Sequence, residues 1–242
     1  MKFFKSIIVL VFLLFTTLSF AQWGNGKKVK GNGDITTITR STANYDGLKA
    51  AGSMDFKLVP GKEGKITITG DSNIMDYIIT EIKNGNLVVK LKDGTNIKPS
   101  QKIIITIPYE SIDNVSLAGS GDITNEGKIK SDKLNISLAG SGDIKLTINA
   151  NAVRSSIAGS GDIKLTGKTT NLRAKIAGSG DFDGFDLATE NVDASITGSG
   201  QANVICNGNL KAKVTGSGDV KYKGKPKNKD TKTVGSGKVS SY

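Results

Sequence analysis

Gly-Ser-Gly recurs seven times in this chain, starting at Gly119, Gly140, Gly159, Gly178, Gly198, Gly216 and Gly235, at intervals of 21, 19, 19, 20, 18 and 19 residues. Five copies are followed by Asp (Asp122, Asp143, Asp162, Asp181 and Asp219), and the other two by Gln201 and Lys238. Self-similarity at a fixed period marks a repeat architecture, so this feature limits the fold more than composition does. Around each copy apolar residues alternate, the period of a strand with one buried face. Two residues before the first Gly stand Leu117, Leu138, Ile157, Ile176, Ile196, Val214 and Thr233. Four after it stand Ile123, Ile144, Ile163, Phe182, Ala202, Val220 and Val239. A third column, Leu134, Val153, Leu172, Val192 and Leu210, lies four residues before the first.

A unit of about 19 residues with two short strands and a Gly-rich turn cannot bury its apolar face alone. Copies must stack, each strand pairing in parallel with its equivalent in the next coil. The expected fold is all-β, a parallel β-helix or β-solenoid whose coils step by roughly 4.8 Å. A propeller blade needs about 40 residues, and leucine-rich repeats need a Leu/Asn signature that is missing. A β-sandwich is the remaining rival. Indels of one or two residues favour the solenoid, because its turns swell while the ladders stay in register. The seven first glycines are expected to be structural turns.

Residues 22–112 form a quieter β-rich lobe, expected to meet the repeat solenoid of residues 113–242 near Ser111-Ile112-Asp113. Ala51-Gly52-Ser53-Met54-Asp55-Phe56-Lys57-Leu58 matches Ala158-Gly159-Ser160-Gly161-Asp162-Ile163-Lys164-Leu165 at six positions, and Gly31-Asn32-Gly33-Asp34-Ile35 is a further echo. Hairpin-like strands stand at Lys65-Ile66-Thr67-Ile68-Thr69 and Leu87-Val88-Val89-Lys90-Leu91, the second after the turn Asn84-Gly85-Asn86. The one stretch with helical spacing is residues 73–83, through Ile74, Tyr77, Ile78 and Ile82; a strand is its alternative.

Ahead of the lobe, Lys2 and Lys5 precede an apolar run over residues 7–15 and then Ser19-Phe20-Ala21, the pattern of a signal peptide cleaved after Ala21. Its loss removes two lysines and lowers the formal charge from +11 to +9. Export to the periplasm, the outer-membrane surface or the medium is the expectation, with no membrane-spanning segment after cleavage. Cys206 has no partner in the chain, so packing rather than a disulfide must hold the fold.

Signal peptide, β-rich segment and serial Leu/Ile-Ala-Gly-Ser-Gly-Asp-Ile repeats together resemble the family described as putative auto-transporter adhesins with a head GIN domain, over essentially all of residues 29–242. The resemblance implies a right-handed β-helix-like fold in an envelope or secreted protein of Bacteroidetes-type bacteria. It implies adhesion only through the family's label. The repeats fill the mature chain, so a membrane barrel for self-export is not expected.

With no histidine, every mechanism that needs an imidazole base or ligand is excluded. The Gly-Ser-Gly-Asp turn reads as structural, its Ser and Asp capping backbone N–H groups. Calcium is the alternative, since stacked aspartates repel unless neutralised, and the candidate ligands are Asp162, Asp181 and Asp183. The calcium β-roll repeats every nine residues, however, and this column is broken by Gln201 and Lys238. In Asp181-Phe182-Asp183-Gly184-Phe185-Asp186, alternation puts Asp181 and Asp183 outward and Phe182 inward, with Asp162 one coil away. Those carboxylates are the best candidates for an enzyme or lectin acting on acidic polysaccharide, though nothing marks a cleft.

The 33 basic residues against 22 acidic ones favour an anionic partner. Scattered lysines also keep exposed strand edges from associating. Nucleic acid is not expected, because the repeats carry only Arg154 and Arg173 and few aromatics to stack bases. The expected function is therefore non-enzymatic adhesion or envelope binding to an anionic glycan or other surface component, with no cofactor. Acidic-polysaccharide cleavage and a Ca²⁺-stabilised rod are the alternatives. Both solenoid ends expose strand edges, so a cap or a second copy is expected there, with Lys225-Pro226-Lys227 and the Gly235 copy as the carboxy-terminal cap.

Overall fold

The computed structural model describes residues 27–242, and the expected export segment, residues 1–21, lies outside the described residues. The seven Gly-Ser-Gly turns stack as one corner of a parallel β-solenoid. Gly52 pairs with Gly119, Gly119 with Gly140, and the register then runs through Gly159, Gly178 and Gly198 to Gly216. One arm of each coil leads into the corner and the other leaves it. The long strands Asp143–Gly159, Ile163–Gly178 and Phe182–Gly198 each carry the leaving arm of one coil and the entering arm of the next.

The aliphatic columns read from the sequence are the core. Leu117, Leu138, Ile157, Ile176, Ile196 and Val214 are buried, as are Ile123, Ile144, Ile163, Phe182, Ala202 and Val220. One insertion falls inside a ladder rather than in a turn, where it was expected. The extra residue between Gly178 and Gly198 sits in a bulge, where the register between Lys164 and Thr166 shifts against the next strand.

The amino-terminal segment adds one rung and a cap. Gly47–Gly52 and Asp55–Pro60 form a coil on which Asn114–Gly119 and Asp122–Asn125 sit in parallel. Residues 61–113 detour beneath that coil. Asn86–Leu91 and Ile104–Tyr109 pair in parallel with its two arms, and antiparallel strands then close both edges, Ile78–Lys83 on one and Lys65–Asp71 with Ile35–Ser41 on the other. A hairpin turn at Asn84 and Gly85, with φ of 49° and 72°, joins Ile78–Lys83 to Asn86–Leu91. The Gly31-to-Ile35 echo does not form a parallel rung, because Ile35 opens an antiparallel edge strand. The ambiguous residues 73–83 divide between a 3-10 helix, Ser72–Tyr77, that buries Ile74 and Met75, and the strand Ile78–Lys83. Arg40 donates to the carbonyl oxygens of Ile78 and Met75, tying the two faces together at this end. One hydrophobic cluster runs from Tyr45 to Val220, through cap and repeats alike.

At the other end Asn228–Val234 pairs only with Asn209–Gly216, and Lys238–Ser241 only with Asp219–Lys223. Among the described residues no element covers this last rung. It caps by composition instead: Lys229, Thr231 and Thr233 continue the inward columns of Leu210, Ala212 and Val214. An inward-pointing charge on an edge strand opposes pairing with another chain.

Candidate ligand-binding groove

The repeated corner, the motif most visible in the sequence, is structural in its geometry. All seven first glycines have φ between 117° and 141°, a region L side chains avoid. The carbonyl of each of the first five accepts two N–H groups from the next coil; Ser160 and Gly161, for example, both donate to Gly140 O at 3.0 Å. A Cβ on the second glycine would run into backbone, with Gly142 N 3.0 Å away in the case of Gly161.

The aspartates form a capping ladder. Asp162 Oδ1 accepts the Asp181 N–H at 2.9 Å, Asp181 Oδ1 accepts that of Gln201 at 2.7 Å, and Asp219 Oδ1 accepts that of Lys238 at 2.8 Å. Gln201 and Lys238 thus receive a cap from the rung before. Asp183 stands apart, paired with Lys164 at 2.9 Å, while Asp186 lies 3.5 Å from the same ammonium. Partial burial opposes ionisation of Asp183, but hydrogen bonds from Lys164 and from Phe185 N–H, with the charges of Lys164 and Lys223, outweigh it and hold its carboxyl below the usual range. Asp162 and Asp181 are therefore brought together along the ladder, while Asp183 turns to a lysine. Among the described residues no group of three or more Asp, Glu or Cys side chains is placed to hold a metal ion.

On the entering arms the sequence reading missed a second ladder. Asn171, Asn191, Asn209 and Asn228 occupy equivalent positions in successive coils. Their amides are stacked: Asn191 Nδ2 donates to Asn171 Oδ1 at 3.1 Å, Asn209 Nδ2 to Asn191 Oδ1 at 2.7 Å, and Asn228 Nδ2 to Asn209 Oδ1 at 2.8 Å. Their intervals of 20, 18 and 19 residues match those of the last four glycines, a signal present in the sequence.

Beside this ladder runs a groove of about 580 Å³ spanning five coils, from Ala152 to Asp230. Strand alternation builds it. Val153, Leu172, Val192 and Leu210 turn into the core and leave backbone as the floor. The Asn column and the outward column Arg154, Arg173, Asp193, Lys211, Asp230 rise on either side. Arg173 Nε pairs with Asp193 at 3.0 Å. The next outward column reads Ser156, Lys175, Ser195, Lys213, Lys232. These two columns hold six cations, Arg154, Arg173, Lys175, Lys211, Lys213 and Lys232, against two carboxylates.

The family described as "Putative auto-transporter adhesin, head GIN domain" matches residues 44–226, which takes in the amino-terminal rung, most of its cap, six of the seven glycine corners and most of the groove. The chain belongs to this family. Among solved structures, one described as a putative adhesin from Bacteroides fragilis is 22% identical, with a TM-score of 0.83 over 88% of this chain and 100% of its own. One described as a putative lipid binding protein from Parabacteroides distasonis is 24% identical, with a TM-score of 0.74 over 89% and 100%. A putative adhesin from Parabacteroides merdae is 26% identical, with a TM-score of 0.70 over 89% and 99%. These solved structures share the fold with this chain across nearly their whole length. No protein with a curated description matches the chain. No helix among the described residues is long and apolar enough to cross a membrane.

Proposed function

We propose that this protein is exported and works without catalysis, holding an acidic glycan of a cell envelope or neighbouring cell against the grooved face of its solenoid. The observation that carries this reading is uncompensated like charge beside a groove. Arg154 stacks in register on Arg173, and Lys213 on Lys232. Among the described residues only Arg173 of the six cations has a carboxylate within ion-pair distance. Like charges in register destabilise a sheet, so their retention around a concavity is best explained by an anion that joins them. The adhesin descriptions of the family and of its solved relatives support surface binding, and the amino-terminal segment supports export.

The test is solid-phase binding of the chain to polygalacturonate, to a sulfated glycosaminoglycan and to neutral dextran, at low and at high salt. Acidic polymers should bind and dextran should not. Retention should fall as ionic strength rises, and Arg154→Ala with Lys211→Ala should weaken it. Equal binding to dextran, or none to either acidic polymer, overturns the proposal.

A further inference from the structure

We infer that the asparagine ladder reads its ligand as a linear polysaccharide laid along the solenoid axis, one sugar facing each rung. The inference rests on the acidic-glycan reading and adds the ligand's shape and direction. Coils of a parallel solenoid repeat every ~4.8 Å, and an extended β-linked pyranose chain advances by close to that spacing per sugar. A polymer lying in the groove therefore meets an equivalent protein group at each residue, which a globular or branched anion does not.

The ladder supplies that group. Each primary amide carries two N–H donors, and stacking consumes one at Asn191, Asn209 and Asn228. Asn171 only accepts in the stack, so both of its donors are free of it. One donor per rung is thus left for ring or hydroxyl oxygens, while Arg154 and Lys211 on the opposite wall offer charge to carboxylates or sulfates. The site has defined ends. Toward the amino terminus Ala152 replaces the asparagine, and toward the carboxy terminus the ladder stops at Asn228 on the uncovered last rung. Four amides bound the reading frame, with Arg154 one rung beyond.

The experiment is titration of the full chain with β-(1→4)-linked oligomannuronates of two to six sugars, beside polyglutamate of matched charge. Affinity should rise with each sugar to four or five and then level off, and polyglutamate should bind weakly. Asn228→Ala, at the exposed end where nothing stacks further, should shorten the plateau by one sugar. It should weaken the longest oligomer about fivefold, the worth of one neutral hydrogen bond. Asn171→Ala should act alike from the other end, with unchanged far-ultraviolet circular dichroism as the folding control. Length-independent affinity, or polyglutamate binding as tightly as the uronides, refutes the ladder reading and leaves the charge reading standing. No binding to any polyanion removes both.

Discussion

Replacing the second glycine of one corner by alanine should unfold more of this protein than an exposed one-carbon change ordinarily does. A Cβ on Gly161 runs into the carbonyl oxygen of Gly142 and stands 3.0 Å from its nitrogen, both backbone atoms that no rotamer change can move. Relief needs the two coils to part by about 1 Å, to the separation at which carbon and heavy-atom contacts become favourable. The bonds from Ser160 and Gly161 to Gly140 O, each 3.0 Å, would then stretch beyond hydrogen-bonding range. Two lost backbone bonds, with their groups left partly unsatisfied, cost about 3–5 kcal/mol. That is a large share of the ~5–15 kcal/mol expected for a domain. The same column holds its own control. At the first corner the equivalent residue is Met54, fully buried, because no corner lies beneath it and its side chain fills the space instead. Met54→Gly should therefore destabilise by about 2–5 kcal/mol through the cavity it opens. Urea unfolding of both variants reads the result. A Gly161→Ala protein within 1 kcal/mol of the parent would show that the corner is pliable and that the glycines answer to something other than stacking.

Changing Lys229, Thr231 and Thr233 to Leu, Ala and Val continues the aliphatic columns to the open end and should produce concentration-dependent end-to-end association in sedimentation velocity; a variant that stays monomeric shows that Lys229 is not the guard. Asp162→Asn keeps the acceptor for the Asp181 N–H and should be nearly neutral, whereas Asp162→Ala should cost about 1 kcal/mol. Stability should also be indifferent to chelator, so a melting temperature raised by Ca²⁺ would restore the cation reading of this column. Stability should plateau between two titrations. The Ser100 hydroxyl, the chief cause, and the Ser100 and Gly33 N–H groups hold Asp71 below the usual carboxylate range, so its contribution is full above the unfolded value of about 3.9 and is lost as pH falls through the folded one. Burial, and then Glu63, push the Tyr45 phenol up, so stability falls as pH rises past the unfolded value of about 10. Equilibrium unfolding across pH checks both limbs, and a flat alkaline limb would refute the part assigned to Tyr45.

The solenoid was legible because its determinants are periodic and each rung repeats the same local compromise. Leu172, Val192 and Leu210 can be aligned by eye, and the structure turns all three inward. The Asn84-Gly85 turn announced the hairpin of Ile78–Lys83 with Asn86–Leu91, but the rest of the cap was not legible, because Lys65–Asp71 pairs antiparallel with Ile35–Ser41 and Ile104–Tyr109, both far along the chain, and no interval announces such pairings. Residues 73–83 show the same limit: Ile74, Tyr77 and Ile78 have helical spacing, yet a 3-10 helix of six residues suffices to plug the end before the chain becomes an edge strand. The groove was half legible. Its asparagines keep the glycines' spacing, but a polar residue in register can stack, cap or face a ligand, and only the side-chain hydrogen bonds separate Asn191, in a ladder, from Asp183, beside a lysine.

The two faces of the rod differ in how their charges are arranged. On the arms leaving the corners Lys145 stands beside Asp143 and Lys164 beside Asp183 and Asp186, while Lys102, in the amino-terminal cap, bridges Asp55 and Asp122. Lysine serving only to keep an edge-rich protein dispersed would be expected to follow that mixed pattern on every face. On the entering arms Arg154, Lys175, Lys213 and Lys232 have no carboxylate within ion-pair distance among the described residues, while Lys211 stands in register between Asp193 and Asp230. Outward columns contribute little to the core, so nothing in the stacking of Leu172 on Val192 requires an arginine at residue 154 or a lysine at residue 211. On the function proposed above, the charge of this face serves what the surface meets rather than how the chain folds. Exchanging the charge of one face should leave stability nearly unchanged while moving glycan affinity, and the same exchange on the opposite face should do neither.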